Sequence, residues 1–410
     1  MGGGPGEWPQ DLDLRALLEK GWRPTPFQEF VIKIHSRCNL ACDYCYMYEM
    51  ADQSWRSQPV RMSRSTIDQV ARRIAEHART NLLREVEIVL HGGEPLLVGH
   101  DHLRYALRAF HTALAPEVEV NFALQTNGVL LDPGFLELCA EYGVSIGVSV
   151  DGDEEGHDLH RRRKDGRGSY QSVIEGVKLL TSTPYRHLFG GFLTTIDLRN
   201  EPTLTYESLL SFAPPLMDFL LPHGNWDTPP PGRPDDETTP YADWLISIFD
   251  RWYKAPVQET RIRLFTEIMR LLIGRQSGSE SVGLSPVSMV VVETNGQIEQ
   301  VDTLKSAFEG AAGTALHVSR DPFNAALMLP SIAARQIGLQ ALAEPCLACR
   351  IRRVCGGGLY THRYRSGSGF RNRSVYCADL MRLIEHIHTT VSLDVAERRR
   401  RSATGATDPN

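Results

Sequence analysis

Phe30-Val31-Ile32-Lys33-Ile34-His35 runs into Cys38-x3-Cys42-x2-Cys45, with Tyr44 filling the slot before the last cysteine, and the reading of this stretch decides the fold. An apolar, β-branched run of this length reads as a strand, which puts the cysteines on the loop that follows it. A structural zinc site takes four ligands and closes, and a disulfide would leave one of the three thiols over. Three thiolates on one short loop can hold three irons of a cubane cluster and leave the fourth iron for a small molecule to chelate. The incomplete set therefore favours an iron–sulfur site over the alternative, a buried or zinc-binding cysteine cluster.

Working outward, strand-like runs recur at 29–35, 86–91, 118–126, 144–150, 189–196 and 216–221, with helix-like segments between them. This alternation implies parallel strands joined by crossover helices. Strand parity adds a second constraint. Val144, Ile146, Val148 and Val150 share one face while Ser145, Gly147, Ser149 and Asp151 share the other; Ile32 and Ile34 likewise oppose Lys33 and His35. The apolar faces are expected to meet outer helices, and the polar faces to line a cavity. A flat doubly wound sheet is the alternative, because parity does not report curvature.

Ligand sites on parallel strands gather at the C-terminal strand ends. The cysteine loop, Gly92-Gly93-Glu94-Pro95, Gln125-Thr126-Asn127-Gly128 and Ser149-Val150-Asp151-Gly152 fall there in succession. Singly, each glycine motif reads as an ordinary turn. Together with the CxxxCxxC spacing and Tyr44, they resemble the radical S-adenosylmethionine (SAM) enzymes. That resemblance implies an α/β fold, a partial (β/α)6 TIM-like barrel, and a SAM-binding 4Fe-4S cluster at Cys38, Cys42 and Cys45. It assigns Gly92, Gly93 and Glu94 to the amino group of SAM, and Ser149 and Asp151 to its ribose and carboxylate region. Tyr44, Asn127 and Arg161 join them as cofactor-binding positions. His157-Asp158-x2-Arg161 matches a stretch common in the superfamily, although the charges of 158–163 read equally as a solvated helix face.

A second group, Cys346-x2-Cys349-x5-Cys355-x21-Cys377, stands near the C-terminus. Alone it could be a zinc ribbon. After the first motif it resembles the SPASM extension of peptide-modifying radical SAM enzymes, whose fuller cysteine set usually holds a pair of auxiliary clusters. Here the cysteine expected five residues after the turn glycine Gly296 is Val301, the one expected four residues after Cys355 is Leu359, and its upstream partner is absent. The resemblance therefore implies two 4Fe-4S clusters in all, the auxiliary one held by Cys346, Cys349, Cys355 and Cys377. Such a fully ligated cluster serves support or electron transfer. Asp302, directly after the missing ligand, is the implied general base; a turn aspartate is the plainer reading.

The segments 356–365, 374–377 and 223–226, with His91 and Glu299-Gln300-Val301-Asp302, resemble FxsB-type maturases over about residues 8–390. This implies a radical SAM oxidoreductase that abstracts a β-hydrogen from a ribosomal precursor peptide and joins an aromatic ring to a Cβ two residues downstream, forming a cyclophane. His223 and Trp226 would contact the peptide, and an external one-electron donor such as flavodoxin or ferredoxin would supply reducing equivalents. Two other functions stay open: a formylglycine-generating peptide oxidase of the sulfatase-maturase type, and a non-catalytic iron–sulfur or zinc protein.

Composition sets the outer bounds. A chain of 410 residues, 42% hydrophobic, can bury a large core. A net charge of −6 with mixed signs suggests neither a nucleic-acid surface nor a membrane face, and no apolar stretch is long enough to span a bilayer. A cytoplasmic location is expected. The eight cysteines group as three, then four, with Cys139 alone in a helix-like stretch as a core residue. The expected divisions are an N-terminal segment 1–27, too short for a winged-helix leader-binding domain, a barrel 28–235 and a helical bridge 236–280. A SPASM-type domain 281–390 and a disordered tail 391–410 complete the chain.

Overall fold

In the computed structural model, which describes residues 8–233 and 238–404, the six expected strands are β1 (Glu29–His35), β2 (Glu85–Gly92), β3 (Glu119–Thr126), β4 (Ser145–Ser149), β5 (Phe189–Thr195) and β6 (Leu216–Leu220). They lie side by side in chain order, all parallel. Four further strands extend the sheet at both edges. β7 (Arg261–Ile262) adds to β6, and β8 (Met289–Val292) runs parallel to β1. β9 (Gln297–Glu299) and β10 (Gly313–His317) follow as antiparallel neighbours, giving the order β10-β9-β8-β1-β2-β3-β4-β5-β6-β7.

Parity does what the alternation promises. Ile32, Ile34, Ile88, Leu90, Leu124, Ile146 and Val148 are buried against helix residues such as Ile67, Val70 and Ile74 in one continuous core. Removal of each such side chain from water contributes roughly 1.5–3 kcal/mol, so the outward faces fix strand orientation. The helix 64–80 shows the local logic: Ser63 caps it by accepting the Thr66 N–H at 3.1 Å, and its buried positions recur at helical spacing. Cys139 is 1% exposed on the helix Pro133–Tyr142.

The pairing of β1 with β8, from Glu29 opposite Met289 to Ile32 opposite Val292, joins the barrel and the cysteine-bearing C-terminal region through one sheet. The bridging helices Pro240–Tyr253 and Arg263–Leu272 bury Trp244, Phe249, Trp252 and Phe265 in the main core. The N-terminal segment docks on the C-terminal region, with Trp8 bridged to Gly369 and buried beside Tyr360 and Phe370.

One expected division needs correction. The tail from 391 is helical as far as Thr404, because the helix that starts at Cys377 continues without a break. Its polar, arginine-rich surface is a good helix former, and pairs such as Asp394–Arg398 lie one turn apart along it. Residues 405–410 of that tail, 1–7 of the N-terminal segment and 234–237 at the junction of barrel and bridge lie outside the described residues.

Candidate active site

The cysteine loop is stitched to the barrel by backbone bonds. Gly93 and Glu94 donate their N–H groups to the carbonyls of His35 and Arg37 at 2.8 and 3.0 Å, and Ala41 donates to Arg162 O at 2.8 Å. Both glycines of the Gly-Gly-Glu motif are required by this approach. A Cβ on Gly92 would stand 2.1 Å from His35 O, and one on Gly93 1.9 Å from Tyr48 Oη and 2.5 Å from the Arg37 backbone. Gly93→Ala should therefore push the loop off β2, and iron content after reconstitution should fall with it; full iron incorporation in that variant would refute the packing account.

Burial pushes the thiols of Cys38 and Cys42 up to about 11, with Cys45 raised for the same reason. Cys38 Sγ takes weak hydrogen bonds from Leu40 N–H at 3.4 Å and Asn127 Nδ2 at 3.6 Å. Three partly buried thiols on one short loop fit metal ligation, which would draw off their protons.

Around the loop, the residues at the strand ends form a connected polar shell. Glu94, fully buried, accepts from Leu96 N–H at 3.0 Å, Thr126 Oγ1 at 2.8 Å and Asn127 N–H at 2.8 Å. Burial still carries it up to about 7 against these bonds. Its carboxylate thus clamps the end of β3 to the turn after β2. Asn127 reaches back to Asn39 Oδ1 at 2.8 Å, and Ser149 Oγ accepts from Gln125 Nε2 at 2.9 Å.

Asp151 is held from three sides. Arg161 Nε donates to its Oδ2 at 2.9 Å, Tyr44 Oη donates to the same oxygen, and Thr195 N–H donates to Oδ1 at 3.0 Å. The Arg161 guanidinium lies 5.6 Å from the Tyr44 ring centroid. Burial alone would lower the Arg161 pKa, yet Asp151, Tyr44 and Cys42 together outweigh it and raise it. The solvated-face reading of 158–163 gives way here. His157 is fully buried, bonded to Ser169 Oγ at 2.9 Å, and burial holds it neutral with its pKa down to about 4.

Across the lumen stands a charged network that the sequence reading did not find. Lys33, 1% exposed, places Nζ 2.8 Å from Asp302 Oδ2 and 3.9 Å from Glu293 Oε1. Lys305, equally buried, lies 2.8 Å from both Glu293 Oε1 and Glu299 Oε2. Burial raises Glu299 to about 7, and the neighbouring carboxylates overcome burial to raise Lys305. Oxygens of Glu293, Glu299 and Asp302 come within 4.8 Å of one another, with the ammonium groups of Lys33 and Lys305 paired among them. The sequence had marked Asp302 as the implied base and Lys33 as an inward position of β1, but not their pairing. Val301, at the missing cysteine position, is buried in an apolar cluster with Leu304, Tyr360 and Phe370.

His223, on the loop after β6, meets Tyr46 edge-on at 4.9 Å and His362 at 5.8 Å between ring centroids. Trp226 stands apart from this group. Its indole N–H donates to Arg373 O at 2.6 Å, its ring lies between Arg233 and Arg365, and it lines an outer groove with Cys377.

Cys346, Cys349, Cys355 and Cys377 line one cavity of about 620 Å³ with Arg352 and Arg373. Burial raises Cys355 to about 11, and the guanidinium groups on the cavity wall, Arg350 among them, suit the negative charge of a four-thiolate centre. The donor set fits an iron–sulfur cluster here too.

Residues 32–199 match the family model described as the Radical SAM superfamily. The chain is 28% identical over 369 residues to a serine-type anaerobic sulfatase-maturating enzyme of Klebsiella aerogenes, covering 84% of this chain and 82% of the relative. A serine-type enzyme of Bacteroides thetaiotaomicron is 23% identical over 387 residues, covering 88% and 89%. Among solved structures, anSMEcpe with bound AdoMet superposes with a TM-score of 0.75 at 19% identity, covering 90% of this chain and 99% of that one. SuiB of Streptococcus suis gives 0.59 at 16% identity, covering 88% and 79%.

These likenesses overturn the expected FxsB-type, cyclophane-forming assignment, since the relatives that span most of the chain are sulfatase-maturating enzymes. The segments that suggested it have structural work of their own. Gly356, Gly357 and Gly358 all take positive φ, and a Cβ on Gly356 would stand 1.6 Å from Gly283 O. Tyr376 donates to Pro222 O at 2.7 Å. The chain therefore has the radical SAM α/β fold, built on a parallel sheet, with a C-terminal region that brings four cysteines to one cavity.

Proposed function

We propose that the protein is a radical SAM peptide oxidase of the sulfatase-maturase type, which converts a seryl or cysteinyl side chain of a substrate peptide to formylglycine. The observation that carries this reading is Asp302: a carboxylate in the lumen, fixed through Oδ2 by Lys33, with Oδ1 buried and unpartnered among the described residues. Support comes from the sulfatase-maturating relatives, and from anSMEcpe and SuiB structures with bound peptides.

Cys38, Cys42 and Cys45 hold the SAM-binding 4Fe-4S cluster, and Cys346, Cys349, Cys355 and Cys377 the auxiliary one. When bound, SAM and the two clusters supply removal of one hydrogen atom from the target β-carbon and acceptance of the electron left behind. The chain's own residues do the rest. Gly92, Gly93 and Glu94 bound the pocket for the SAM amino group, while Ser149, Asp151, Arg161, Asn127 and Tyr44 shape its other wall. Asp302 Oδ1 takes the proton of the target hydroxyl or thiol, which completes a carbonyl from serine, or from cysteine a thiocarbonyl that water then hydrolyses with release of hydrogen sulfide, once hydrogen atom and electron have gone. Lys33, bonded to Oδ2, keeps Asp302 aimed. A one-electron donor such as flavodoxin or ferredoxin is required.

The test is anaerobic incubation of reconstituted protein with SAM, a reductant and a sulfatase-type peptide bearing Ser or Cys at the target. An aldehyde that forms a hydrazine adduct, located by tandem mass spectrometry, is the expected product. Formation of 5'-deoxyadenosine with both peptides but no hydrazine-reactive product would overturn the reading.

A further inference from the structure

Two imidazoles, His362 buried and His223 half-buried, stand side by side, each with a buried ring nitrogen that has no hydrogen-bond partner among the described residues. His362 is 2% exposed and its Nε2 has no partner; His223 Nδ1 is buried and equally bare. Their ring centroids are 5.8 Å apart with planes tilted by 57°. An unmet buried polar atom costs roughly 1–3 kcal/mol, so two side by side point to a partner that arrives with a ligand.

Their position says which ligand. His223 packs on Tyr46, the residue after Cys45. The turn bearing His362 is bonded to the turn bearing Asp302: Thr361 Oγ1 donates to Thr303 O at 3.0 Å and shares a hydrogen bond with Ser306 Oγ at 2.8 Å. Asn225, two residues after His223, donates to Ser306 O at 3.2 Å. Three distant segments are thus locked together beside the proposed proton acceptor, and the two rings are the polar groups they leave unfilled.

A neutral imidazole carries one donor and one acceptor. Burial keeps both rings in that form, His223 with a pKa down to about 4 and His362 well below the usual histidine range. A hydroxyl has two lone pairs and can accept from both ring N–H groups while its own proton points to Asp302 Oδ1. A thiol is a weak donor and a weak acceptor, and would leave both rings nearly as unsatisfied as before.

We propose that His223 and His362 are specificity-determining residues that hydrogen-bond the hydroxyl of the target residue, so that the enzyme acts on seryl in preference to cysteinyl peptides. This rests on the peptide-oxidase reading above.

The experiment compares kcat/KM for aldehyde formation from two peptides that differ only in Ser or Cys at the target. Wild type should favour serine on the order of tenfold to a hundredfold. His362→Phe and His223→Phe should bring that ratio towards unity, chiefly by raising KM for the serine peptide. His362→Gln and His223→Asn, which keep an amide donor and acceptor, should retain part of it; iron content and iron–sulfur absorbance report whether each variant is folded. The inference falls if the ratio is unchanged in the Phe variants, which would leave the rings to water or to the peptide backbone. It falls equally if the amide variants behave as the Phe ones, or if the Phe variants lose their iron. Aldehyde from neither peptide in wild type would sink the peptide-oxidase reading itself, a different result from aldehyde made without discrimination.

Discussion

Cys42→Ala should abolish formation of 5'-deoxyadenosine from SAM and lower the iron content from about eight to about four per chain. The sulfurs of Cys38, Cys42 and Cys45 are set on one loop whose ends are pinned by Gly93, Glu94 and Ala41, and no spare cysteine stands near enough in sequence to replace one. The next, Cys139, is buried in the helix Pro133–Tyr142 within the main core. Cys38→Ala and Cys45→Ala should behave alike. Cys346→Ala or Cys377→Ala should instead remove iron from the C-terminal cavity and spoil folding or turnover. Iron analysis paired with chromatographic detection of 5'-deoxyadenosine separates the sites, and a Cys42 variant that still cleaves SAM would sink the central assignment.

Lys305→Met should destabilise the fold by about 3–5 kcal/mol, the typical cost of removing one partner from a buried ion pair. The ammonium group lies 2.8 Å from Glu293 and from Glu299, and all three side chains are at most 9% exposed. Without it, two carboxylates beside Asp302 share the single charge of Lys33. Adding Glu299→Gln to Lys305→Met removes one stranded charge and should recover part of the loss, since replacing both members of a buried pair costs less than breaking it. Denaturant unfolding of the two variants checks this; a Lys305→Met midpoint equal to wild type would show that the network carries no net charge compensation.

That network also explains how the missing auxiliary ligands are accommodated. Val301 turns into an apolar cluster, and the adjoining turn carries Asp302 and Lys305 back to β1. The region is filled by packed side chains and paired charges.

The chain's local chemistry was legible in its sequence. Alternation of period two fixed which faces of β1, β3 and β4 pack outward, because a strand's side chains can only point to opposite sides. Cysteine spacing fixed the loop after β1 as a ligand set, and glycines at the end of β2 marked a close backbone approach that a Cβ forbids. The FxsB-type assignment failed for a reason of the same kind: short matching segments such as 356–358 are demanded by turn geometry, and geometry is shared by enzymes of different outcome. What only the tertiary structure decided is which distant groups meet. Lys33 finds Asp302 across 269 positions because β8 adds to the edge of β1, and His223 finds His362 because two turns lock beside Asp302. Periodicity constrains neighbours along the chain. Pairing between segments far apart, and the low-dielectric surroundings that give a buried charge its partner, arise only when the chain closes on itself.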